Sequence, residues 1–123
     1  KRLMPDLVYT HHFGDLNIDH RVCHQAVLTA CRPFPDQTVK KILAFEVCSS
    51  TEWAFSSVSW QFRPTVFVDI SDQIETKIKA ISCYRSYFND TLLHNIEGLA
   101  AYRGQMLGVK YAEAFELQYR CIH

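Results

Sequence analysis

The thirteen residues Tyr9–Arg21 hold three of the six histidines of the sequence, His11, His12 and His20, together with Asp15 and Asp19. Neutral imidazole and carboxylate are common zinc ligands, and a catalytic zinc takes three protein ligands and leaves a fourth position for water. Asp19-His20 supplies one or two such ligands. The sequence has neither an HExxH pair nor a CxxC pair, so this stretch does not make a recognised metal site by itself. The remaining ligands have to come from elsewhere. His24, four residues after His20, can share its helix face, but the commoner state of such a residue is an exposed or core-edge histidine.

The elements that must position these groups follow from the patterning. Leu7-Val8-Tyr9 reads as a strand, and Ile18 to Cys31 as a helix whose apolar positions Val22, Ala26, Val27 and Ala30 recur at spacings of three and four. Asn17 or Asp19 is its N-cap, and Arg32-Pro33-Phe34-Pro35 ends it. A polar strand end running into a helix is where open α/β sheets keep their chemistry. His20 then sits in the first helical turn beside the strand end, and strand alternation lets at most one of His11 and His12 face a cleft. Lys41–Glu46 is a second strand, which delivers Glu46 to the same edge.

Beyond it, Trp53, Phe55, Trp60 and Phe62 either wall a cleft or build a small satellite core. Val66–Ile70 is a third strand. Ser71-Asp72 caps a helix with Ile74, Ile78, Ile81 and Tyr84 on one face and a Glu75–Lys79 pair on another. Asn89-Asp90-Thr91 caps the last helix, which buries Leu92, Leu93, Ile96, Leu99, Ala100 and Leu107 and stops at Gly108 in the left-handed conformation. His94 on this helix is a structural or surface histidine. Val109–Leu117 closes the chain as a strand, with Glu113 within reach of Arg103. This order predicts a single domain over 1–123, an α/β Rossmann-like three-layer sandwich with a mostly parallel sheet and helices on both faces.

Thirteen basic and thirteen acidic side chains cancel, which argues against nucleic acid and anionic membranes as partners. No apolar run approaches the ~20 residues of a membrane span, and the start, Lys1-Arg2-Leu3-Met4-Pro5, lacks the core of a signal peptide. Five cysteines, an odd number without metal or disulfide spacing, fit a reducing cytoplasm in which they act as small buried hydrophobes.

The segment Asp15-Leu16-Asn17-Ile18-Asp19-His20-Arg21 resembles the DLNxDH segment of the LmbE-like, or N-acetylglucosaminyl-phosphatidylinositol de-N-acetylase, family of zinc-dependent deacetylases. Further landmarks fall in that family's order: Arg32-Pro33, Glu46–Trp53, Phe62-Arg63-Pro64, Phe67–Ser71, Ile74–Lys77, Tyr84-Arg85-Ser86, Arg103-Gly104 and Tyr111–Phe115. The resemblance implies an amide hydrolase that removes the acetyl group from an N-acetylglucosamine-type sugar. It implies zinc as cofactor, with His20 as a ligand. Asp15 and Asn17 are then catalytic or sugar-binding, Asn17 standing where some relatives carry a histidine that stabilises the tetrahedral intermediate. Glu46, Ser50, Thr51 and Trp53 line the substrate cleft. The family's HPDDE segment, which brings two further ligands and the general base, is not in this sequence, so the chain is expected to be the C-terminal portion of the domain, inactive alone and prone to self-association along an uncovered sheet edge. The competing reading is a degenerate, non-catalytic module that binds a glycan or a partner protein.

Overall fold

The computed structural model describes residues 3–54, 58–84 and 89–122. Phe55 and Arg85-Ser86, which the sequence reading singles out, lie outside the described residues. The elements are β1 (Leu7–His11), α1 (Ile18–Ala30), β2 (Lys41–Phe45), β3 (Val66–Asp69), α2 (Ile74–Ser82), α3 (Asp90–Gln105) and β4 (Ala112–Arg120), with 3-10 turns at Thr51–Trp53 and Val58–Trp60. The four strands form one sheet in the order β1-β2-β4-β3. It is mixed, not mostly parallel: β1 and β2 run parallel, but β4 pairs antiparallel with β2. Local patterning does not carry that information, because strand direction is set by a pairing some seventy residues distant in the chain. The chain forms two compact units, one running to Val66 and resuming at Phe115, the other Phe67–Ala114.

In the first unit β2 supplies the core. Ile42, Leu43 and Ala44 are consecutive and all buried, as expected of a strand covered on both faces. Leu7 to His11 lie opposite Lys41 to Phe45, and the His12 N–H continues the ladder to the Phe45 carbonyl. α1 begins at the expected place, with Asn17 extended at its N-cap. Its buried face is not the expected one. Val22 is 57% exposed, Ala26 and Ala30 are exposed, and the buried residue of the helix is His24. The apolar spacing is present but too weak to decide the facing; a ring that finds a hydrogen-bond partner is buried instead.

In the second unit Ile70, Ile74 and Ala100 form the buried cluster, with Ile78 and Tyr111 packed against it. Asn89 caps α3 by accepting the Leu92 N–H at 2.9 Å. Ser71-Asp72 does not cap α2. Asp69 instead accepts both the N–H and the hydroxyl of Ser71, closing a local turn that draws Ser71 away from the helix start. Glu75 makes no ion pair with Lys79; Lys77 reaches Glu113, the residue expected near Arg103. Leu107 and Tyr84 are exposed. Gly108 does adopt the left-handed conformation, φ 70°. None of the five cysteines is buried or disulfide-bonded, against their reading as buried hydrophobes.

Candidate functional site

All the groups described next belong to the first unit. β1 ends in Thr10, His11 and His12, whose side chains alternate: Thr10 and His12 are buried, and His11 lies on the opposite face. The two adjacent histidines therefore meet different surroundings.

His12 is fully buried and both ring nitrogens have partners, Glu116 Oε2 at 2.8 Å from Nδ1 and the Trp60 carbonyl at 2.8 Å from Nε2. A carbonyl and a carboxylate both accept, so both nitrogens donate and the ring is an imidazolium. Burial pulls its pKa down; the Glu116 hydrogen bond, the Trp60 carbonyl and the charges of Glu116 and Asp15 outweigh that and raise it above the ordinary value. Burial likewise lifts Glu116, but the His12 bond, the Arg63 N–H and the charges of His12 and His24 hold it below the usual range. Phe62 stands edge-on to the His12 ring at 5.4 Å between centroids, so at least this aromatic is packing material. Gly14 lies against the same pair: a Cβ there would be 2.7 Å from His12 Nε2 and would overlap the Trp60 carbonyl.

His11 and His20 face each other on the other side of the strand end, rings stacked with centroids 4.0 Å apart and planes 17° apart. The buried Nδ1 atoms of both lack a hydrogen-bond partner. Nδ1 of His20 comes within 3.1 Å of Asp15 Oδ1, close enough for an ion pair but outside hydrogen-bond alignment. Burial first, then the neighbouring charge of His20, lowers the pKa of His11, against a smaller opposing pull from Asp15. His24 donates Nδ1–H to the His11 carbonyl at 2.7 Å, which anchors the strand end to α1.

Asp15 is fully buried. Oδ1 accepts the Asn17 N–H at 2.8 Å, and Oδ2 accepts the hydroxyls of Thr51 at 2.8 Å and Ser50 at 2.9 Å. Burial alone would raise its pKa; the Asn17 N–H, the Thr51 and Ser50 hydroxyls and His20 reverse that and hold it low. Arg21 clasps the same loop, donating to the Asp15 carbonyl at 2.7 Å and the Leu16 carbonyl at 2.8 Å, with its guanidinium 5.8 Å from the centre of the Trp60 ring.

The structure thus gathers His20, Asp15, Ser50 and Thr51 of the sequence-derived site residues into one cluster. Ser50 and Thr51 are buried there with their hydroxyl protons on Asp15. Asn17 is exposed and contributes its main-chain N–H to the cluster; Trp53 is 55% exposed on its 3-10 turn, and Glu46 follows β2 directly. The His12–Glu116 pair and the Arg21 clasp were not read from the sequence. His12 and Glu116 lie 104 residues apart and no local pattern connects them, whereas Arg21 reaches carbonyls five and six residues back.

A catalytic zinc site needs three protein ligands converging on one point. Among the described residues no group of three or more His, Cys, Asp or Glu side chains is placed to hold a metal ion. His20 has an orphaned nitrogen and a second one without a partner among the described residues. These residues fit one corner of such a site.

No family model matches the sequence, and no curated protein matches it. Solved structures do. The conserved protein TT1542 from Thermus thermophilus aligns over 98% of this chain and 55% of its own, with TM-score 0.76 and 22% identity. GalB, the 4-carboxy-2-hydroxymuconate hydratase from Pseudomonas putida KT2440, covers the same shares with TM-score 0.70 and 20% identity. N,N'-diacetylchitobiose deacetylase from Pyrococcus horikoshii aligns over 94% of this chain and 46% of its own, with TM-score 0.64 and 22% identity. At these identities the likeness defines a fold, shared by a deacetylase and a hydratase. The chain spans about half the length of the solved structures it resembles.

Proposed function

We propose that this chain carries part of the active site of an LmbE-like, zinc-dependent N-deacetylase acting on an N-acetylated amino sugar, within a complete Rossmann-like three-layer domain. The observation that carries the reading is His20: its ring lies at the end of β1, Nδ1 against a buried carboxylate and Nε2 without a partner among the described residues. The fold shared with a sugar deacetylase supports it. His20 would be one zinc ligand, and the other ligands and the general base would come from outside these 123 residues. When bound, the zinc would supply Lewis acidity toward the acetamide carbonyl and toward water.

The chain's own residues have separable tasks. His20 holds the metal corner. Asn17, exposed at the start of α1, can donate its amide to a sugar hydroxyl or to developing negative charge on the carbonyl oxygen, without carrying a charge of its own. Trp53 offers a flat exposed face of the kind a pyranose ring stacks on, and the Glu46 carboxylate can accept from a hydroxyl. Asp15, Ser50 and Thr51 shape the floor beneath them. Water adds to the acetamide carbon, the carbon–nitrogen bond breaks, and acetate and an amine leave.

The test uses the complete protein. Zinc content and acetate release from N,N'-diacetylchitobiose are measured for wild type and His20→Ala. The variant is expected to lose bound zinc and more than about a hundredfold in turnover, the upper end of what losing even a supporting residue around a metal costs. Unchanged zinc in His20→Ala rejects the ligand assignment. A complete wild-type protein with no zinc and no turnover favours the glycan- or protein-binding module.

A further inference from the structure

Asp15 has the side chain of a substrate-binding or catalytic carboxylate and the surroundings of neither. It is fully buried, and its contacts leave no room for a ligand: Oδ2 takes two hydroxyls, and Oδ1 takes the Asn17 N–H and faces His20 Nδ1. A carboxylate only accepts, whereas serine and threonine hydroxyls can turn to donate. Two hydroxyls on Oδ2 therefore fix the orientation of the group and leave Oδ1 within 3.1 Å of the imidazole Nδ1, in charge contact and outside hydrogen-bond alignment. A neutral ring carries one proton. With Nδ1 3.1 Å from a carboxylate oxygen, a lone pair on that nitrogen would oppose a lone pair on the oxygen, so the proton belongs on Nδ1. Nε2 then keeps its lone pair.

We propose that Asp15, clamped by Ser50 and Thr51, is a positioning residue that selects the Nδ1–H tautomer of His20 and so leaves Nε2 as the nitrogen open to an electrophile. The electrophile is zinc if the reading above holds; the inference rests on that reading for this identity alone. Two further contacts serve the same end. The His11 ring stacked on His20 restrains its tilt, and the bond from His24 to the His11 carbonyl holds the strand end that carries the stacked ring. This is the carboxylate–histidine arrangement that orients metal-ligating rings generally. It reassigns Ser50 and Thr51 from touching substrate to holding Asp15.

The experiment is long-range 1H–15N NMR of the complete protein, freed of metal and labelled at histidine, at a pH where the His20 ring is neutral, with His20 assigned by comparison with His20→Gln. The expected spectrum shows a protonated Nδ1 and a bare Nε2 for His20. In Asp15→Ala no oxygen faces Nδ1, and the population is expected to move toward the Nε2–H form. Zinc affinity of the complete protein should fall about tenfold to a hundredfold in the same variant. A purely structural aspartate would leave the tautomer unmoved. If Asp15→Ala does not fold, the wild-type spectrum decides alone: a protonated Nε2 on His20 overturns the proposal. The two readings fail separately. A wrong tautomer removes Asp15 from its role whatever the metal content, while zinc retained in His20→Ala removes the deacetylase reading and leaves the tautomer standing.

Discussion

The histidine-rich end of β1 and the apolar cluster of the second unit are built on opposite principles. Around Ile70, Ile74 and Ala100 the buried groups are hydrocarbon, and the nearby polar contacts, Lys77 with Glu113 and the Tyr111 hydroxyl with Glu97, stay at the surface. Around His12, Asp15 and His24 the buried groups are polar or charged, and nearly every donor and acceptor is matched. Hydrocarbon burial is non-directional and tolerates exchange of one shape for another. A buried polar network fixes directions and becomes costly when one member is lost. The exceptions at this strand end are the orphaned Nδ1 atoms of His11 and His20 and the hydroxyl oxygen of Thr10, and they are therefore the places to look for function.

The largest expected effect comes from cutting the network. Glu116→Ala leaves the His12 imidazolium buried without its carboxylate and should cost about 3–5 kcal/mol in urea unfolding; a loss under about 1 kcal/mol would mean the charge is solvated, and the contrast with the apolar cluster would disappear. The same pair predicts a pH dependence. Because the folded-state pKa of His12 is raised, its stabilisation is complete below the unfolded value of about 6.5 and is lost as pH rises through the folded value. His11, whose pKa is lowered, acts oppositely and disfavours the fold as pH falls below that unfolded value. Glu116 and Asp15, both lowered, stabilise above the unfolded carboxylate range and lose this as pH falls through their folded values. A stability maximum between the carboxylate and histidine ranges is expected. In His12→Gln the decline on the alkaline side should shrink.

Gly14→Ala comes next. Its new methyl would strike the Trp60 carbonyl and His12, and overpacking against backbone costs about 1–3 kcal/mol; a melting temperature equal to wild type would show that the loop yields. In the second unit Ile74→Val should cost only about 0.5–1.5 kcal/mol in urea unfolding; a loss above about 3 kcal/mol would show that the apolar cluster does not tolerate exchange of shape. Smallest of all, Lys77→Ala removes a half-exposed ion pair and should change stability by about 1 kcal/mol or less.

What could be read from the chain divides along the same line. β1, the start of α1, β2 and the left-handed Gly108 follow from runs, caps and turn chemistry within a few residues, and so does the position of His20 beside a strand end. The facing of α1 does not. Val22, Ala26, Val27 and Ala30 have helical spacing, yet a single hydrogen bond from His24 to the His11 carbonyl settles which residue is buried. The antiparallel entry of β4 and the His12–Glu116 pair are products of chain return, with Glu116 reaching His12 only once β4 lies beside β2. Ser50 and Thr51 were visible as polar residues after β2. That their protons point at Asp15 and away from a ligand is a matter of a few ångströms, which residue type does not encode.

The loop from His12 to Asn17 is gripped at every turn: Trp60 and Glu116 on His12, no room for a side chain at Gly14, hydroxyls on Asp15 and a guanidinium across its carbonyls. Such a segment can neither lengthen nor change composition without loosening the imidazole it presents. Substitutions should thus be tolerated poorly between β1 and α1 and better after β2 at Trp53, which is 55% exposed.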